Sequence, residues 1–128
     1  MHVDPGAWSL RFLEFVDAGE LRLPFHPETG APLSLHDRRF DDHAARPAEW
    51  RPAEGRGVVR SFVVFHRRYA ANADAPAILA TIELTEGHRL VAPLVDIASA
   101  DVSVGLAVTI ANIRPKGPVT FRATHPPA

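Results

Sequence analysis

From Gly57 to Ala123 the chain is a succession of short segments in which apolar residues tend to recur at every second position, broken by clusters of turn residues. A period of two puts alternate side chains on one face of an extended strand, and that face is buried by building a sheet. GVVRSFVVFHRRY (57–69) is rich in β-branched and aromatic residues, and PAILATIEL (76–84) places Ile78, Ala80, Ile82 and Leu84 on one face. Thr85-Glu86-Gly87-His88 reads as a turn, after which Leu90, Ala92 and Leu94 repeat the alternation in HRLVAPLVD. IASADVSVG reads as a connector with room for one helical turn, flanked by Asp96 and Asp101 in turn or capping roles. LAVTIANI (106–113) and, beyond Pro115-Lys116-Gly117-Pro118, VTFRA (119–123) complete the set.

Five strands with a connector between the third and the fourth is the count and order of an OB-type barrel. Closure also accounts for the small or aliphatic character of one strand face, which fills the interior. At 128 residues the chain has one modest core to build. The expected fold class is mainly β: an N-terminal helix in 1–20, a middle segment in 21–56 and an OB-fold barrel in 57–124.

DPGAWSLRFLEFVDAG (4–19) has Asp4 at an N-cap position, Pro5 at the first helical position and Gly19 at the close. Trp8, Phe12, Phe15 and Val16 recur at helical spacing, so they form one apolar stripe that packs on this chain or on a partner. From 20 to 56 no period persists, and Pro24, Pro27, Pro32, Pro47 and Pro52 punctuate the stretch. A structureless run of that length inside a small domain calls for a functional role, a partner or a degenerate small module.

With no cysteine, the chain has no disulfide, no thiolate metal ligand and no cysteine nucleophile. A formal charge of −1 gives no net attraction to a phosphate backbone, which disfavours nucleic acid. The absence of a long apolar run and of a signal-peptide pattern in MHVDPGAWSL leads to the expectation of a cytoplasmic protein without membrane association. His66, beside Arg67, Arg68 and Tyr69, is the candidate general base. Strand alternation puts His66 and Arg68 on one face and Arg67 and Tyr69 on the other, so the four do not converge without a bulge. Arg56, Arg60, Arg67 and Arg68 are candidate contacts for coenzyme A phosphates or an acidic partner, or else a solvated strand edge.

The helix FLEFVDAGELRLP, Trp50, GRGVVRSFVVFHR, LVAPLVD and DVSVGLAV, in this order over nearly the whole chain, resemble the family that joins an N-terminal rubredoxin-like zinc ribbon to an OB fold. Members are accessory subunits of thiolases and of thiolase-like acyl-CoA aldolases and acyltransferases. The family's first C-x-x-C-G falls here on His26, Thr29 and Gly30, and its second C-x-x-C on Phe40 and His43, with Trp50 seven residues on. A structural zinc takes four Cys or His ligands. His26 and His43 supply two at most, and His36, Asp37, Asp41 and Asp42 are the nearby groups that could complete a site. The resemblance therefore implies a degenerate ribbon without zinc, held by packing of Leu33, Leu35, Phe40 and Trp50.

Thiolase chemistry needs an acyl-accepting cysteine, so the resemblance implies the companion and not the catalytic subunit. The expected partner is a thiolase-like catalytic subunit in a heterotetramer or higher complex, met through Trp8, Phe12 and Phe15. The complex would act on acyl-CoA in lipid, steroid or aromatic acyl-CoA metabolism, and the chain itself would hold no cofactor. Two alternatives come from other classes. One is a single-strand nucleic-acid module stacking bases on Phe62, Phe65 and Tyr69. The other is a small stand-alone acyl-CoA enzyme using His66.

Overall fold

Alternating segments this short bury their apolar faces by closing on one another, and this is what the chain does. The computed structural model describes residues 10–35, 48–66, 77–113 and 119–125. Two short strands, β1 (Arg22–Phe25) and β2 (Glu49–Pro52), pair antiparallel; five more, β3 (Arg56–Phe65), β4 (Ala77–Leu84), β5 (Arg89–Leu94), β6 (Ala107–Ile113) and β7 (Val119–Ala123), close a barrel in the order β3-β4-β5-β7-β6. Every barrel pairing is antiparallel except β5 with β7, which run parallel through Leu94 and Phe121. This is the expected OB fold. The connector holds a single 3-10 turn, Ser99–Asp101, and Asp96 takes a positive φ of 57° at its start.

The inward set is the one the alternation marks: Val59, Ile78, Ala80, Ile82, Leu84, Leu90, Ala92 and Leu94 are all buried, with Phe121 fully enclosed. In β3 the register shifts between Val59 and Ser61, so Arg60 is the extra residue of a bulge and Phe62 and Val64 return to the core side. Gly57 lies where β3 presses on β4, because a Cβ there would collide with the Glu83 carbonyl and come within 2.8 Å of Ile82 Cγ2.

Helix α1 (Leu10–Asp17) closes as its sequence predicts. Gly19 takes a φ of 80°, its N–H reaches the Val16 carbonyl at 2.9 Å, and the Glu20 N–H reaches Phe15 at 2.9 Å, the double closure of a Schellman motif. One expectation is corrected here. Phe12, assigned to a partner interface, has 0% of its surface exposed and belongs to the chain's own core together with Val16 one turn later. Trp8 and the first part of the expected helix lie outside the described residues.

The middle segment is also more ordered than its lack of periodicity implies. Arg22 to Phe25 pair with Pro52 back to Glu49, and Phe25 makes an isolated bridge with Pro32. Four residues are too few to display a period, and each strand contains a proline. Leu21, Leu23, Phe25 and Leu35 join the helix and the barrel in one continuous core, against which Trp50 packs. No helix among the described residues is long and apolar enough to cross a membrane.

Candidate functional site

His26-Pro27-Glu28-Thr29-Gly30 folds into a tight turn in which two side chains serve as acceptors. The Nδ1 of His26 accepts the N–H groups of Glu28 and Thr29 at 3.1 and 3.3 Å, and the Thr29 hydroxyl accepts the Ala31 N–H at 3.2 Å. Gly30, with a φ of 72°, donates to the His26 carbonyl at 2.9 Å. In place of the two thiolates of a ribbon, this turn offers an imidazole whose Nδ1 is engaged and a hydroxyl. A thiolate has lone pairs to spare for both N–H groups and a metal, whereas an imidazole nitrogen has one in-plane pair, and here two backbone donors hold it. The Thr29 hydroxyl is no zinc ligand either. Phe40, His43, His36, Asp37, Asp41 and Asp42 lie outside the described residues, and among those described no group of three His, Cys, Asp or Glu side chains could hold a metal ion.

Where the hairpin meets the barrel sits His88, the one buried polar or charged side chain among the described residues, 4% exposed. Its Nε2 lies 2.8 Å from the Pro24 carbonyl and its ring meets Phe25 edge-on, with centroids 5.0 Å apart. Because a carbonyl only accepts, Nε2 carries the proton and Nδ1 is bare; Nδ1 is buried with no hydrogen-bond partner among the described residues. Burial holds the imidazole pKa below its ordinary value, outweighing the Pro24 hydrogen bond and the Glu86 carboxylate, which pull the other way. A cleft of about 400 Å³ opens beside it, lined among others by Pro32, Leu33 and Leu35 from the hairpin side and by Thr81 and Val91 from the barrel. The sequence reading passed over His88 as a turn residue. Its parity was the available signal, since position 88 is in step with the inward residues 90, 92 and 94.

On the hairpin's other flank, half-buried Phe15 lies 5.4 Å from the Trp50 ring and carries the guanidinium groups of Arg11 and Arg22 at 4.6 and 5.3 Å, while Arg51 covers Phe25 at 4.5 Å. Each of these arginines also meets a carboxylate: Arg11 with Glu14 at 2.9 Å, Arg22 with Glu20 at 3.4 Å and Arg51 with Glu49 at 3.1 Å. The hydrogen bonds from Arg51 hold the Glu49 carboxyl below its ordinary pKa.

The β3 arginines are likewise matched. Arg56 meets Glu54 at 3.2 Å, and Arg60 Nε donates to Glu83 at 3.0 Å, lowering the Glu83 pKa chiefly through that hydrogen bond. Both are exposed, four residues apart on the strand, and each has its own carboxylate. Arg67, Arg68 and Tyr69 lie outside the described residues. His66 is exposed at the end of β3. Phe62 faces the core and Phe65 is half-buried, so these two rings do not line one stacking face.

Fold and site define a small OB-fold protein with a helix-and-hairpin cap whose flanking arginines, like Arg56 and Arg60 of β3, are matched by carboxylates. Residues 50–113, half of the chain, match the family described as "ChsH2, C-terminal OB-fold domain", and the chain belongs to that family. A protein of Thermomonospora curvata named "Probable enoyl-CoA hydratase alpha subunit" is 40% identical over 58 residues, which make up 45% of this chain and 18% of that protein. The chain thus spans less than a fifth of that relative. Among solved structures, a chain of the "Ltp2-ChsH2(DUF35) aldolase" superposes with a TM-score of 0.77 at 22% identity, over 98% of this chain and 99% of that one. A DUF35-family protein of unknown function from Sulfolobus solfataricus superposes with a TM-score of 0.58 at 15% identity, over 88% and 82%. At these identities the likeness is one of fold.

Proposed function

We propose that this chain is the accessory OB-fold subunit of a thiolase-like acyl-CoA complex, in which a catalytic partner makes or breaks a C–C bond. The observation that carries the reading is membership of the ChsH2 OB-fold domain family over residues 50–113. It is supported by the names of two relatives, one a two-component aldolase and the other an enoyl-CoA hydratase subunit. The chain's own chemistry is in keeping with an accessory role. With no cysteine anywhere in the sequence, an acyl-cysteine intermediate has to form on the partner.

The docking face in this reading is the outer side of the cap, where Phe15 and Trp50 stay half-exposed among Arg11, Arg22 and Arg51. Aromatic rings and arginines of this kind are enriched at protein interfaces. Phe12 drops out of that face and Phe15 remains in it. The matched charges of Arg56 and Arg60 make a poorer phosphate anchor than free guanidinium groups would.

Affinity purification of the full chain from its source cells, followed by native mass spectrometry, tests the proposal. Recovery of a thiolase-like subunit of about 40 kDa, the size of a multidomain partner, in fixed ratio supports it. A lone 14.0 kDa species overturns it. Salt-sensitive oligonucleotide binding by that lone species would move the assignment to a nucleic-acid module, and turnover of an acyl-CoA would move it to an independent enzyme and to His66.

A further inference from the structure

We propose that His88 is a pH-sensitive latch, seating the β1–β2 hairpin on the barrel while its imidazole is neutral and releasing the hairpin when Nδ1 takes a proton. The geometry is that of a latch and not of an ordinary core contact. His88 immediately precedes β5 of the barrel, and its hydrogen bond crosses to the main chain of β1, sixty-four residues away, at 2.8 Å. The Pro24 carbonyl that receives it also accepts the Leu33 N–H at 3.0 Å, so one oxygen ties together β1, the loop after it and the barrel. The fit around this point is close: a Cβ on Gly87 would come within 3.3 Å of Pro32.

Nδ1 is the atom that responds to acid. It is the bare nitrogen of the neutral ring, it is buried, and it has no hydrogen-bond partner among the described residues. A proton there creates a buried donor bearing charge with no partner, the costliest kind of unsatisfied group. Charged neighbours on the packed elements do not cancel this. Glu86, in the turn that carries His88, favours the imidazolium, but its carboxylate is already engaged by the Glu54 N–H at 2.8 Å and the Thr85 hydroxyl at 3.1 Å. Arg51, on the hairpin, lies over Phe25 and is paired with Glu49, and Arg89, the first residue of β5, is exposed and 3.8 Å from Glu83, so neither brings an unmatched charge to the ring. Pro24, Phe25 and Pro32 contribute no titratable side chain. The hairpin is the side that yields, since a two-stranded sheet of four-residue strands is marginal on its own while the five-stranded barrel is closed.

The test is amide hydrogen exchange on the full chain between pH 7.5 and 5.5, expressed as protection factors so that the intrinsic pH dependence of exchange is removed. The Leu33 and Ala53 amides, which bond to Pro24 and Leu21, report the hairpin, and amides of β4 and β5 report the barrel. Release coupled to one proton lowers hairpin protection by up to tenfold for each pH unit below about 6.5, the ordinary imidazole pKa, with the barrel unchanged. His88→Gln, which keeps an N–H donor and cannot titrate in this range, removes the pH dependence; His26→Gln retains it. Flat hairpin protection in the wild type, an equal slope in His88→Gln, or hairpin and barrel falling together would each overturn the latch. If His88→Gln fails to fold, the ¹⁵N shift of His88 Nδ1 in the wild type decides. Titration in step with hairpin opening supports the latch, and titration without any opening refutes it.

Discussion

Replacing Phe12 by alanine separates the core from the docking face more sharply than any other single change. Phe12 is wholly enclosed, and a buried phenylalanine removes roughly 150–250 Å² from water. At about 25 cal/mol per Å² this is about 4–6 kcal/mol as an upper bound, and measured Phe→Ala changes in cores cost about 3–5 kcal/mol. An expected loss near 4 kcal/mol is a large share of the roughly 5–15 kcal/mol available to a domain. In urea, with a slope of about 2 kcal/mol per molar, the midpoint moves down by about 2 M. Since Phe12 shares one continuous core with the hairpin and the barrel, the tryptophan fluorescence and the far-ultraviolet circular dichroism should shift together. Phe12→Leu, expected to cost about 1–1.5 kcal/mol, guards against outright unfolding of the alanine variant. Phe15→Ala removes a half-exposed ring held by Trp50, Arg11 and Arg22 and should cost only about 1–2 kcal/mol while weakening partner recovery. A Phe12→Ala protein that keeps its midpoint and loses its partner would refute the reasoning and return Phe12 to the interface.

Gly57→Ala should lose about 1–3 kcal/mol by overpacking β3 against the Glu83 carbonyl, whereas Gly30→Ala, with open space but a φ of 72°, should lose about 1–2 kcal/mol from backbone conformation alone; urea denaturation measures both. Arg60→Gln should let the Glu83 carboxyl rise toward its ordinary value, followed by NMR titration. With Arg60 present the depressed Glu83 pKa favours the folded state above the unfolded carboxyl value, and that contribution fades as pH falls through the folded one. Dialysis against a strong chelator should leave the thermal midpoint and the His26 turn unchanged; a drop in midpoint restored by zinc would count against a metal-free cap.

Most of the barrel was readable because its strands are long enough to show a period and its interior is apolar. Ile78 to Leu84 and Leu90 to Leu94 declare their inward faces residue by residue, and Gly19 marks the helix end. The hairpin was hidden by brevity. LRLPF and EWRP hold too few residues for alternation to emerge from chance, and their pairing spans a separation that local pattern cannot see. Phe12 was misassigned because an amphipathic stripe says which face is buried and not what covers it. His88 was missed for a related reason: local turn chemistry explains a histidine after Glu86-Gly87, and only the tertiary placement of Pro24 turns it into a junction.

In the reading of the cap as a ribbon that has lost its metal ligands, one stabilising chemistry takes the place of another. In a metal-bearing ribbon, two tight turns are held by four ligands, and binding of the ion supplies much of the folding free energy. Here the first turn is closed by an imidazole and a hydroxyl that accept backbone N–H groups, each bond worth only about 0.5–1.5 kcal/mol net. Such bonds shape the turn but do not hold the cap. What holds it is burial: Leu21, Leu23, Phe25 and Leu35 belong to the same apolar cluster as α1 and the barrel, and at about 1.5–3 kcal/mol for each buried side chain they bring a stabilisation comparable to that of an ion. In that reading the exchange has a structural consequence. An ion would make the cap a self-contained unit, whereas burial makes it depend on the barrel surface beneath it, and that dependence runs through the contact where the unpartnered nitrogen of His88 lies.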